Sequence, residues 1–192
     1  MGTDAHRVTA AALAVAAAGL GSAACLIVFF AAGGGPFGLV NDVGNAALGV
    51  LSAWLAWVSW PSSASGRGWP ALAAVAVGAA TMVTGSVLVV LDVTGYYLAG
   101  LVSGFGAALI GVWLIVFARA GGLPARLAGF GLAAGVVLLL GLLVAPGILA
   151  GVDDQRQAPW YVVLGQVNWV ATYLFYPVWC VLFAAHARHG SR

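Results

Sequence analysis

The sequence predicts an all-α fold, a single bundle of six helices that cross a lipid bilayer with the N- and C-termini both cytoplasmic. Three observations predict it. Of 192 residues, 63% are hydrophobic and only 6% charged, with a mean hydropathy of +1.07, whereas a soluble domain carries about a quarter charged residues. A small domain is mostly surface, so a chain of this length cannot hide that apolar share from water, and lipid is the solvent that fits. The apolar residues also come in runs of about 20, the length a spanning helix needs. They lack the alternation of barrel strands, and only helices and closed barrels satisfy the backbone in lipid. Finally, the arginines sort to one side if the number of spans is even.

The spans are expected at about residues 8–32, 43–60, 71–91, 95–118, 127–150 and 160–185, in one transmembrane domain covering 1–192. The first follows Arg7 and resembles a leader peptide at its start. It runs on through Cys25 to Ala32, long enough to span, and so reads as a helix. Gly33, Gly34, Gly35 and Pro36 end it. The second carries a stripe of small residues, Asn45, Gly49, Ser52, Ala56 and Ser59, of the kind that lets helix backbones approach in lipid. Residues 61–70, with three Ser and two Gly, read as the one flexible loop. The third and fourth spans are divided only by a tight turn over Asp92, Val93, Thr94 and Gly95. Gly100 and Gly104 in the fourth, and Gly131 and Gly135 in the fifth, are four apart and suit close packing. Gly121 to Pro124 divides the fourth from the fifth, and Asp153 to Pro159 is the most polar loop, with Pro159 suited to a first helical turn. Each outer turn carries an Asp, a faint threefold rhythm.

With both ends in the cytoplasm, Arg7, Arg67, Arg119, Arg126, Arg188 and Arg192 face inward, and only Arg156 faces out, beside Asp153 and Asp154. Asp42 and Asp92 fall on the outer side too. Every base is Arg and every acid is Asp, which reads as codon bias rather than function. Trp54, Trp57, Trp60 and Trp69 gather at the inner boundary, and Trp160 and Tyr161 mark the outer one, as an aromatic belt does.

Few residues offer chemistry. His6, His186 and His189 all lie near the termini, so haem or zinc ligation within a span is not expected. No GxSxG or P-loop pattern occurs, and the lone Cys25 and Cys180 read as small hydrophobes. No catalytic residue, cofactor, metal or nucleic-acid partner is expected. The sixth span is the least lipid-like: it holds Gln166, Asn168, Trp169, Thr172, Tyr173, Tyr176 and Pro177, and Pro177 has no N–H to offer the Tyr173 carbonyl. An amide, an aromatic wall and a freed carbonyl make a small-ligand pocket; they equally make hydrogen bonds between helices. The candidate ligand residues are Asn45, Asp92, Gln166, Asn168, Trp169, Tyr173 and Tyr176, with Asn41, Asp42, Tyr96 and Tyr97 at the mouth. Asp42, Asp92, Asp153 and Asp154 form a candidate outer acidic mouth, since neighbouring carboxylates in low dielectric hold protons or cations. The competing reading is that these aspartates cap helices.

Asn41-Asp42 at the opening of the second span, the Gly-Leu-Pro-Ala-Arg-Leu-Ala-Gly connector from Gly122 to Gly129, and the closing Tyr176-Pro177-Val178-Trp179 are scattered over most of the chain. In these features the sequence resembles a group of bacterial integral membrane proteins with about six helices and no assigned activity. The resemblance implies the six-helix fold and a bacterial cytoplasmic membrane, and it carries no catalytic residues to transfer. The function expected is a non-enzymatic accessory protein or a binder of a lipid or small apolar ligand, with the bilayer and a second membrane protein as partners. A small transporter using the acidic mouth is the alternative. An intramembrane enzyme ranks third, since it needs convergent acid, base or metal ligands.

Overall fold

Short connections bearing glycine or proline cut the apolar sequence into long helices. The computed structural model describes residues 2–60, 68–120 and 122–189. Its six long helices are α1 (Gly2–Ala31), α2 (Phe37–Ser59), α3 (Trp69–Val90), α4 (Tyr96–Arg119), α5 (Ala125–Leu149) and α6 (Trp160–Arg188). The chain is all-helical, and each of the six is long and apolar enough to cross a membrane, the make-up of a multi-pass membrane protein. Residues 61–67, which include Arg67 and most of the expected flexible loop, lie outside the described residues, as do Gly121 and residues 190–192 with Arg192.

α1, α3 and α5 end in the same motif. The N–H groups of Gly34, Val93 and Val152 reach back five residues to the carbonyls of Phe29, Leu88 and Gly147, at 3.0, 2.9 and 3.0 Å. The residue before each has positive φ: Gly33 at 69°, Asp92 at 54° and Gly151 at 66°. This satisfies helix-end carbonyls through one left-handed residue, which is usually Gly. Asp92 is the one non-glycine with positive φ among the described residues. α2 begins at Phe37, six residues before the expected 43, because Pro36 already has helical φ (−69°) and starts the helix. Asn41 and Asp42 therefore lie inside α2 rather than at its opening.

α5 and α6 are irregular. α5 tightens to a 3-10 helix over Leu140–Val144, where Pro146 offers no N–H to Leu142. α6 opens as an α-helix over Trp160–Gly165. It then tightens, with Val167 bonded to Leu164 and Trp169 to Gln166 three residues back, and widens to a π-helix over Ala171–Phe175. A regular helix resumes over Tyr176–His189. The π turn stands where Pro177 cannot donate to Tyr173, and Tyr176 N–H instead reaches Ala171, five residues back.

Consecutive helices pack as neighbours, α6 closes against α1, and α4 is the most buried of the six. Small residues set the spacing, as their stripes suggested. A Cβ on Gly49 would meet Met82 and the Ala79 backbone at 3.0 and 3.2 Å, and one on Gly111 would meet the Gly135 carbonyl at 2.8 Å. Trp113, Phe117, Trp179 and Phe183 fill the bundle towards the end bearing the chain termini. Trp57, Trp69 and Trp160 lie on the outside of the bundle.

Candidate functional site

The α1–α2, α3–α4 and α5–α6 connections share one end of the bundle. The Phe29 ring at the end of α1 stacks on Tyr96 at the start of α4, with centroids 6.5 Å apart. Asp153, between α5 and α6, accepts the Gly95 and Leu98 N–H groups at 2.7 and 2.9 Å and so caps α4. Just inside this end, α2, α4 and α6 face one another across a cleft of about 470 Å³, counted out to its open mouth. α2 and α6 are not packed along their length, which leaves this space between them. Their link is two tyrosines. Tyr173 donates to Asn45 Oδ1 at 2.9 Å, and the buried Tyr176 hydroxyl to the Ser52 hydroxyl at 3.1 Å.

The cleft walls come from five helices. α2 supplies Asn41, Asp42 and Asn45; α4 supplies Tyr96, Gly100, Ser103 and Gly104; α6 supplies Trp169, Thr172 and Tyr173. Leu26 of α1 and Met82 and Gly85 of α3 complete it. Asp42 is the one charged side chain of the lining, and no Arg or His lines it. The Trp169 indole lies over Gly100 and Gly104, where added Cβ atoms would come 3.5 Å from it. Asn41 is 2% exposed, and its Oδ1 has no hydrogen-bond partner. Beneath the cleft, Met82 and Thr172 pack with Leu48, Ala107, Ile110, Leu138 and Tyr176 so closely that no room for a water molecule remains.

Of the residues the sequence singled out, Asn41, Asp42, Asn45, Tyr96, Trp169, Thr172 and Tyr173 meet in the cleft. Gln166, Asn168, Tyr176, Tyr97, Asp92, Asp153 and Asp154 do not line it. Gln166 donates its amide to the Tyr97 hydroxyl. Asn168 is fully buried and donates to the Gly104 carbonyl at 2.7 Å, where Gly141 brings α5 against it. Tyr176 is buried below, among the packed side chains under the cleft. Asp92 is exposed in its turn, and Asp154 caps the short Gln155–Gln157 helix through the Arg156 N–H at 2.9 Å. Among the described residues no three His, Cys or Asp side chains are placed to hold a metal ion. Met82, Gly85 and Ser103 were not legible as lining residues. They read as ordinary span residues, and only the packing of α3 against α4 turns them inward.

No protein family, curated protein or solved structure matches this chain. The site stands on its own geometry. The π turn of α6 runs beside the cleft, to which it contributes Thr172 and Tyr173, and π turns recur at functional positions.

Proposed function

We propose that this protein is a small-ligand- or lipid-binding multi-pass protein of a bacterial cytoplasmic membrane, with both ends cytoplasmic and the α2–α4–α6 cleft opening at the outer face. The arginine distribution supports the orientation. The observation that carries the binding reading is Asn41 Oδ1. Most polar side chains of α6 find a partner within the bundle; among the cleft-lining residues Asn41 keeps a buried acceptor without one, as Asn168 Oδ1 and Ser22 Oγ do elsewhere in the bundle. An unsatisfied buried acceptor costs about 1–3 kcal/mol, and a bound donor would recover it. The narrow cleft, with polar groups from α2, α4 and α6 converging on it, suits a small ligand.

Interrupted helices also occur in transporters. Against a conduit stand Trp113, Tyr176 and Trp179, all but fully buried, which occupy the bundle farther along α4 and α6 from the cleft. Native mass spectrometry of the protein gently extracted from its own membrane tests the binding reading. A small molecule or lipid should be retained by wild type and lost from Tyr173→Phe and Asn41→Leu. Wild type retaining neither, alone or with only a protein partner, would overturn it in favour of an accessory role.

A further inference from the structure

We propose that the ligand of this cleft presents an ammonium group, an inference that rests on reading the cleft as a ligand site. The charge balance of the walls leads to it. Asp42 is half-buried near the cleft mouth, hydrogen-bonded by the Asn41 side chain and with no basic residue beside it in the lining. An anionic ligand would add like charge, whereas a cation would be attracted. The unpartnered atom beside Asp42 is also an acceptor, Asn41 Oδ1, whereas Asn45 Oδ1 is already taken by Tyr173. No positively charged side chain faces these acceptors in the lining.

The remaining wall narrows the class. Divalent metal sites draw on several carboxylates, and Asp42 is the one carboxylate of the lining. Tyr96, Trp169 and Tyr173 all line the cleft, and aromatic cages of this composition attract ammonium groups through their ring faces. Past Met82 and Thr172 the wall closes into packed apolar side chains with no room for a ligand chain, so the ligand is held by its head in the cleft. A free alkylamine and the head of an aminophospholipid share this chemistry.

The test uses the full chain in nanodiscs of phosphatidylglycerol, titrated with n-propylammonium, n-propanol and propionate and read by tryptophan fluorescence and calorimetry. Propylammonium is expected to bind and the other two not. Asp42→Asn, nearly isosteric, should weaken binding about tenfold or more, with its thermal transition measured alongside. Asp92→Asn, in the exposed turn, should bind as wild type. Competition by tetramethylammonium on wild type gives a second readout independent of any variant. A parallel arm reconstitutes the protein in mixed phosphatidylethanolamine and phosphatidylglycerol. Retention of the ethanolamine lipid, lost in Asp42→Asn, assigns the head to a lipid, and binding of the free amine alone assigns it to a soluble ligand. Equal binding of propanol or propionate, with Asp42→Asn unchanged, overturns the ammonium assignment and leaves the ligand site standing. A folded protein that binds none of the probes or lipids overturns both.

Discussion

The aspartates near the shared end of the bundle show how one residue type takes different roles within a few ångströms of backbone geometry. Asp153 reaches across from another connection to accept the two N–H groups at the start of α4. Exposed helix N-termini favour a carboxylate through hydrogen bonds and the helix dipole. Asp153→Ala should therefore lower stability by about 1–2 kcal/mol in thermal unfolding, and with Tyr96 on that same first turn it should also weaken binding in the cleft. Asp92 does the opposite kind of work: its backbone, at φ 54°, closes the end of α3 where the matching turns have Gly33 and Gly151. A left-handed residue with a Cβ is strained, so Asp92→Gly should hold or raise stability, by up to about 1 kcal/mol. A clear loss in the same melting experiment would show that the carboxylate holds something the turn alone does not explain.

At the scale of the element, α6 is the part of the molecule whose local chemistry and tertiary role meet. Its polar side chains bond to α2 through Asn45 and Ser52, to α4 through Tyr97 and Gly104, and to α5 through the Leu127 carbonyl, which accepts from Trp179 Nε1 at 3.1 Å. Most of this polarity thus holds helices together, and the cleft uses what is left. The π turn sets the phase between the two halves of α6. Pro177→Ala restores the missing N–H, and relaxing the turn to α-helix removes one residue of offset, about 100° of rotation. Tyr173 and Tyr176 then cannot both reach α2. Ligand binding should fall while helical content by circular dichroism holds or rises. Unchanged binding would mean that the π turn does not depend on Pro177.

For the whole molecule, the six antiparallel helices place the cleft at one end and the aromatic cluster of Trp113, Phe117, Trp179 and Phe183 towards the other. The proposed topology puts these ends on opposite sides of the membrane. Reporter fusions at Ser65 and Gln155 should then read opposite compartments, Ser65 cytoplasmic and Gln155 external. Matching readings would remove the six-span topology, and reversed ones would place the cleft mouth in the cytoplasm.

The all-helical bundle and the six apolar spans were legible from the sequence alone. Burying or immersing so much apolar surface is a bulk property of composition, and helix ends are local events written by Gly33 to Pro36, by Pro159 and by the turn after Leu91. The small-residue stripe of α2 was equally readable, because a missing side chain permits close approach whatever the neighbour is. The earlier start of α2 was hidden, since Asn41 and Asp42 look like a boundary when hydropathy is the only measure. Which polar residues meet was decided by the tertiary structure. Sequence chemistry treats Gln166, Asn168, Trp169 and Tyr173 alike as polar or aromatic residues of one span. The two short-range distortions before Pro177, and the separation of α2 from α6, send Gln166 to Tyr97, Asn168 to Gly104, and only Trp169 and Tyr173 to the cleft. A hydrogen bond depends on ångström distances between helices far apart in the chain, and no local pattern of residues encodes those distances.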